Sequence, residues 1–398
     1  MKIRNYCTLL SVALAAGCIH EEKESMSDLT ARVFKSAAAQ YTAMESRLTE
    51  HTMPRSTSPD GEFISSDIQW WGSGFYPGTL WYIYEYTADE LFREMAEKNT
   101  LKLDTLKYKG AAHDIGFQIN CSFGNAYRIT GEQKYLEPIR TSAHVLAKRF
   151  SPVAGVTLSW DFVRKGKDWK YPVIIDNMMN LEHLLNAGTL FGEDSLKAIA
   201  VTHANTTMRN HFRRDFTSYH LVDYDPENGS VRTKETVQGF SDESAWARGQ
   251  AWGLYGYVMM FRLSGLECYL TQAENMANML MERLPEDGIP YWDFDSPLIP
   301  ADLRDASAGA IMASAFVDLS ALTHTPEAKG RYLAMAEKQL RTLASKEYLA
   351  KPGENCNFIL KHSVGSKPEN KDVDVPLTYA DYYFLEALLK YMKTPKNR

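Results

Sequence analysis

Apolar residues recur at helical spacing along almost the whole chain. Leu29, Val33, Ala37, Tyr41 and Met44 share one face of a helix predicted over 28–51, with Ser27 as its N-cap and Asp28 in the first turn. A loop rich in Pro, Ser and Gly follows over 52–74. Helices are then predicted in pairs: 75–87 with 88–104, 113–129 with 132–149, 173–190 with 193–212, 243–264 with 267–284, and 305–322 with 327–346. A last helix over 378–393 pairs with the first. Strand-like alternation is confined to connections, around Val156 to Phe162 and Tyr219 to Tyr224.

Polar residues stand ahead of small or aromatic helical runs at Gly74-Phe75-Tyr76, His113-Asp114-Ile115-Gly116-Phe117, Asp176-Asn177, Asp242-Glu243-Ser244-Ala245-Trp246, Arg304-Asp305-Ala306-Ser307 and Tyr379-Ala380-Asp381-Tyr382-Tyr383. Most of these recur after roughly 60–75 residues, the period of a repeated helical hairpin. About twelve helices in six pairs predict an all-α fold, an (α/α)6 barrel in one domain over 27–398. Closing the ring brings the polar starts of the inner helices to one mouth, although they are far apart in sequence.

The N-terminus reads as a targeting segment. Lys2 and Arg4 precede a short apolar run, Cys7 to Ala16, that is too short to span a bilayer. Leu14-Ala15-Ala16-Gly17-Cys18 resembles a bacterial lipoprotein cleavage site, with the large apolar residue one place early. The expectation is a signal peptide over 1–17, lipidation of Cys18 and a polar tether over 18–26. The protein would then be exported, periplasmic or anchored at the outer membrane, touching the membrane only through that anchor. Loss of Lys2 and Arg4 takes the formal charge from −6 to −8. An acidic chain without basic runs argues against nucleic acid. Cys121, Cys268 and Cys356 are scattered, without disulfide or metal spacing.

Asp176 lies between Ile174-Ile175 and Met178-Met179, after Pro172, which is expected to start the helix. Such company strips water from a carboxylate and raises its pKa; read alone, the same residue is more often an N-terminal Asp stabilised by the helix dipole. Asp114, beside His113, is either a second carboxylate facing Asp176 or another cap. Trp246, Gly249, Gln250 and Gly253 share a helical face, and Arg248 and Trp252 are four apart. An Arg among Trp rings suits a planar carboxylate and a sugar ring. The two glycines require close packing or ligand approach to offset their helix cost. Trp71 and Trp160 sit in loops, where rings either stack on a ligand or fill the core. The composition is 12% aromatic, with 22 Tyr, which adds weight to a sugar cleft. No His-Glu-x-x-His, phosphate-loop, Gly-x-Ser-x-Gly or dinucleotide motif is present.

From about Ser66 to Lys390 the chain resembles the unsaturated glucuronyl hydrolases of glycoside hydrolase family 88. The motifs that carry this are Trp71-x-x-Gly74-Phe75, His113 to Phe117, Ile174-Ile175-Asp176, Asp225-Pro226-Glu227-Asn228-Gly229, Trp246 to Gly253, Pro285-Glu286-Asp287-Gly288, Tyr291-Trp292-Asp293-Phe294, and Asp381 to Leu389. The resemblance implies an (α/α)6 barrel that hydrates the 4,5-unsaturated uronic acid left by polysaccharide lyases on glycosaminoglycan fragments. It implies Asp176 as general acid/base and Asp114 as its partner, without metal or organic cofactor. His113, Trp71, Trp160, His220, Gln238, Arg248 and Trp252 map onto its substrate cleft, with Trp246 in the same motif. The loop with Ser363, Ser366 and Lys367 falls where the family reads the second sugar and its sulfate, or is a solvated loop. Three alternatives remain at this point: an unsaturated rhamnogalacturonyl hydrolase acting on pectin fragments, an ordinary inverting glycosidase using Asp114 and Asp176, and a non-catalytic glycan-binding lipoprotein.

Overall fold

The computed structural model describes residues 24–162 and 164–394. The expected signal peptide over 1–17 and Cys18 lie outside the described residues. The helices are α1 Met26–Glu45, α2 Phe75–Thr87, α3 Glu90–Leu101, α4 Ile115–Ile119, α5 Asn125–Thr130, α6 Leu136–Ala147, α7 Asn177–Phe191, α8 Asp194–Asn210, α9 Ala247–Ser264, α10 Glu267–Arg283, α11 Ala306–Leu322, α12 Pro326–Leu343 and α13 Thr378–Lys393. A π-helical turn, Asn120–Gly124, joins α4 to α5.

An inner ring closes on itself. α2 packs on the π turn and α5, α4 on α7, α7 on α9, α9 on α11, α11 on α13, and α13 on α2. α1, α3, α6, α8, α10 and α12 lie outside it, completing an (α/α)6 barrel. The patterning explains the sorting. Residues Asp305 to Val317, at the start of α11, are buried without interruption, as a helix surrounded by others requires. α12 buries only Ala328, Tyr332, Ala336, Gln339, Leu340 and Leu343, one stripe facing inward.

Each inner helix before α13 is followed by an outer helix running back, and α1 supplies the outer helix that pairs with α13, so all inner helices point the same way. At their C-terminal ends the connections are short. Gly192 and Gly265 stop α7 and α9 in the left-handed conformation, with φ of 66° and 70°. At the N-terminal ends the connections are long and hold the strands: β1 Thr52–Thr57, β2 Phe63–Asp67, β3 Phe150–Ser151, β4 Val156–Thr157, β5 Pro172–Ile174, β6 Leu221–Tyr224, β7 Val231–Glu235, β8 Ser363–Ser366 and β9 Lys371–Val375. All pairings are antiparallel: β1 with β2, β3 with β4, β5 with β6 and β6 with β7, and β8 with β9. Among the described residues no helix is long and apolar enough to cross a membrane.

Four local expectations are corrected. The first helix begins at Met26, inside the expected tether, because Ser25 rather than Ser27 caps it: its Oγ accepts the Asp28 N–H at 3.1 Å. It ends at Glu45, since Thr49 and Thr52 form a side-chain turn in which the Thr49 N–H bonds Thr52 Oγ1 at 2.9 Å. The segment read as loop over 52–74 contains the β1–β2 hairpin. Pro172 opens strand β5, not a helix: it pairs with Asp223, and α7 starts at Asn177.

Candidate active site

Three of the inner helices begin after an aspartate, and the three behave differently. Asp305 is a true cap: its Oδ1 accepts the N–H groups of Ser307 at 3.0 Å and Ala308 at 3.4 Å. Asp114 and Asp176 occupy the equivalent position before α4 and α7, but neither side chain makes a cap hydrogen bond.

Strand pairing builds the corner around Asp176. β5 pairs with β6 so that the Ile175 N–H bonds the His220 carbonyl at 2.8 Å. This sets His220 Nε2 at 3.6 Å from Asp176 Oδ2. Gln250 on α9 grips the same segment, taking the Ser218 N–H at 2.8 Å and donating to the Ser218 carbonyl at 3.1 Å. Burial pushes the Asp176 carboxyl up to about 6, against the pull of the Arg248 charge and the nearby Trp252 indole. Its side chain keeps an exposed edge of 15%. His220 is neutral, its pKa driven down to about 3 by burial and then by Arg248 and Arg164.

The second carboxylate is tied to the first. The His113 N–H bonds the Ser159 carbonyl at 2.8 Å, and Ala112 forms a bridge with Trp160. Trp160 is thereby seated next to the His113–Asp114 turn. Asp114 is pushed up to about 7, first by burial and then by the charge of Asp176, with Arg149 opposing. The Asn180 Oδ1 accepts the Phe117 N–H at 2.7 Å, so its Nδ2 faces His113 Nδ1 at 2.9 Å as donor. Burial keeps His113 neutral; its proton is thus assigned to Nε2, 3.5 Å from Asp114 Oδ1.

Around this pair several buried polar atoms have no protein partner: Asp176 Oδ2, both ring nitrogens of His220, the indole nitrogens of Trp160 and Trp252, and the hydroxyls of Ser363 and Ser366. Buried polar groups are normally satisfied, so their gathering at one mouth marks where a polar ligand belongs. Asp381 is a useful contrast. It too is pushed up to about 7 by burial, but it accepts Tyr41 Oη and the N–H groups of Ile359 and Leu360, a structural role.

The remaining expected residues divide. Trp71 is half-buried against Phe75, Phe117 and Tyr379, and Trp160 is half-buried against Phe162. Trp246 and Trp252 are 1% and 0% exposed, so neither offers an open ring face. Arg248 is buried over the Trp246 ring and donates to Asp305 at 3.3 Å and to the carbonyls of Val364 and Gly365. It anchors β8 and acts on Asp176 through its charge. Ser363 and Ser366 are buried in β8 rather than in a solvated loop. Lys367 is ion-paired with Asp302, whose carboxyl it helps pull down to about 2 against its burial. Gln238 is half-buried in the turn after β7, and no hydrogen bond ties it to the aspartates.

Asn180, Asn177, Ser159 and Arg149 were not anticipated. Asn180 was within reach, being four residues beyond Asp176 on the same helical face. Asn177 and Ser159 lock the start of α7, with Ser159 Oγ donating to Asn177 Oδ1 at 2.7 Å. Among the described residues no group of three or more His, Cys, Asp or Glu is placed to hold a metal. A cavity of about 500 Å³ also opens at the opposite end of the barrel, but its acids are paired in place: Glu182 with Arg262, Glu85 with Arg128, and Asp318 and Glu386 with Lys390.

Residues 44–393 match the family model Glycosyl Hydrolase Family 88. The chain is 43% identical over 365 residues to an unsaturated glucuronyl hydrolase of Formosa agariphila, covering 88% of this chain and 89% of that protein. The crystal structure of an unsaturated glucuronyl hydrolase specific for heparin superposes with a TM-score of 0.89 at 47% identity, over 92% of this chain and 98% of that one. The Streptococcus agalactiae unsaturated glucuronyl hydrolase, solved as an aspartate-to-asparagine mutant with dGlcA-GalNAc6S, superposes at 0.79 with 28% identity, over 94% and 93%.

The raised carboxyl pKa values carry a stability consequence. The folded protein holds these protons to a higher pH than the unfolded chain, whose aspartates ionise at about 4. Their ionisation therefore costs stability as pH rises toward the folded values of about 6 and 7, and the cost is absent where both states are protonated. Asp176→Asn should raise the thermal unfolding midpoint at pH 8, by the equivalent of roughly 2 kcal/mol, and the gain should vanish toward pH 4. A difference from wild type that does not change with pH would contradict this.

Proposed function

The chain belongs to glycosyl hydrolase family 88, and from that premise we propose that it removes the 4,5-unsaturated uronic acid from the non-reducing end of lyase-made glycosaminoglycan oligosaccharides. It is a glycoside hydrolase. The observation that carries the reaction is Asp176: an uncapped, desolvated carboxyl with its pKa near 6, beside Asp114 near 7. The two titrate as a coupled pair, which shares about one proton between those values.

In this reading Asp176 donates its proton to C4 of the vinyl ether and, as the carboxylate, assists water attack at C5. The C5 hemiketal opens, the second sugar leaves, and a keto acid remains. Asp114, protonated to a higher pH, orients substrate hydroxyls or Asp176 itself. Neutral His220 and the Trp252 indole stand beside Asp176 as further polar contacts. No step requires a metal or organic cofactor. The solved relative specific for heparin is more similar to this chain than the one holding a chondroitin-type disaccharide, which favours heparin-derived substrates. The names of these relatives also favour the glucuronyl over the rhamnogalacturonyl alternative.

The protein is further read as an exported lipoprotein, on the small residues ahead of Cys18. A clickable palmitate fed to expressing cells should label the wild type and not Cys18→Ala; equal labelling would refute the anchor.

Loss of absorbance from the unsaturated bond, followed with unsaturated heparin, chondroitin and hyaluronan disaccharides, tests the activity. Turnover is expected with unsaturated substrates and not with saturated glucuronides, and it should decline as pH rises through about 6. Asp176→Asn should lose about 10²–10⁴-fold in kcat while remaining folded. Equal turnover of saturated glucuronides would instead indicate an ordinary two-carboxylate glycosidase.

A further inference from the structure

The loops that precede the inner helices follow the ring order of α2, α4, α7, α9, α11 and α13. The loops before α7 and α13 are third and sixth of the six, so they face each other across the mouth. An ion pair joins them: Arg164 Nη2 meets Glu369 Oε1. The Arg164 charge is among those that help keep His220 neutral. Arg164 also lines a hollow of about 250 Å³ together with Trp160, Phe162 and Trp169. Glu369 lies in the turn between β8 and β9.

The Glu369 side is anchored from below. Arg248 holds the Val364 and Gly365 carbonyls of β8, and Arg55 pairs with Asp372 of β9 at 2.5 Å. Of the nine non-glycine residues with positive φ among the described residues, seven fall between Asn355 and Asp374. A backbone with so many left-handed residues depends on outside contacts for its shape. The pair to Arg164 is such a contact, and it reaches across the cleft instead of down into the barrel.

We propose that Arg164 and Glu369 set the length of substrate the cleft accepts, their ion pair forming a bridge over the mouth that sugars beyond the second must displace. The proposal rests on the glycosidase reading. In that reading the unsaturated, non-reducing end lies at Asp176 and the rest of the chain leads out through the mouth. A disaccharide ends near the bridge, whereas a tetrasaccharide has to pass it. Neither residue is placed in the acid/base pair, so the chemistry on a disaccharide is left in place when the bridge is removed.

The test compares kcat/KM for an unsaturated disaccharide and an unsaturated tetrasaccharide of the same repeat. Arg164→Gln and Glu369→Gln should each raise the tetrasaccharide-to-disaccharide ratio about threefold or more, within the range of a partly exposed ion pair. The reversed pair, Arg164→Glu with Glu369→Arg, should return the ratio to about that of the wild type. An unchanged ratio in both single variants, with normal disaccharide turnover, would overturn the proposal alone. A wild type that turned over neither substrate would remove the glycosidase reading itself. Amide hydrogen exchange across 363–375 needs no substrate: faster exchange in both single variants supports the bridge, and unchanged exchange overturns it.

Discussion

The inner helices approach one another so closely that several contact positions have room only for hydrogen. A Cβ on Gly256 would stand 2.6 Å from Met178 Cβ, and one on Gly116 would stand 2.7 Å from Asn180 Cβ. These contacts bind α9 and α4 to α7, the helix that Asp176 precedes. Gly249 and Gly253, which the sequence marks as needing close packing, would put a Cβ 2.9 Å from the Trp246 ring and 2.7 Å from Met276 Cε, and both lie in van der Waals contact with Ile175. Tight packing at this end of the ring removes water from the floor of the mouth. Burial is accordingly the largest cause of the raised pKa at both Asp176 and Asp114. The acid function follows from backbone proximity more than from any single contact to the carboxylates.

The electrostatic surroundings keep that shift in a useful range. A buried carboxyl without opposition would stay protonated and make a poor base. Arg248 opposes at Asp176 and Arg149 at Asp114, each partly and from one side. His113 and His220 add no positive charge, because burial holds both neutral. Arg248 also carries the carbonyls of β8. The same side chain thus links the position of that strand to the proton affinity of Asp176.

The helical pairs were legible because a ring of this kind demands two kinds of pattern, all-round apolar for α11 and one stripe for α12. The candidate acids were legible because Asp176 interrupts an apolar run and Asp114 opens another. What sequence could not separate was a catalytic carboxylate from a helix cap; Asp305 caps and the other two do not, although all three precede helices. The strands near Val156 and Tyr224 were legible, but the β1–β2 and β8–β9 hairpins were not, for local reasons. β1 contains Pro54, β8 has four residues, and β9 is bent by left-handed Asp372 and Asp374, so none shows clean alternation. The two carbonyls that Arg248 holds, at Val364 and Gly365, lie more than a hundred residues away, and its commitment to them is visible only in three dimensions.

The proposed reaction turns on one proton. Isotope-edited infrared or ¹³C NMR titration of the aspartate carboxyls, wild type against Asp176→Asn between pH 4 and 8, observes it directly. The signal lost in the variant should titrate near pH 6, and Asp114 should titrate lower once the neighbouring charge is gone. A lost signal titrating near 4, as an exposed aspartate does, would contradict the assignment of Asp176 as the proton donor.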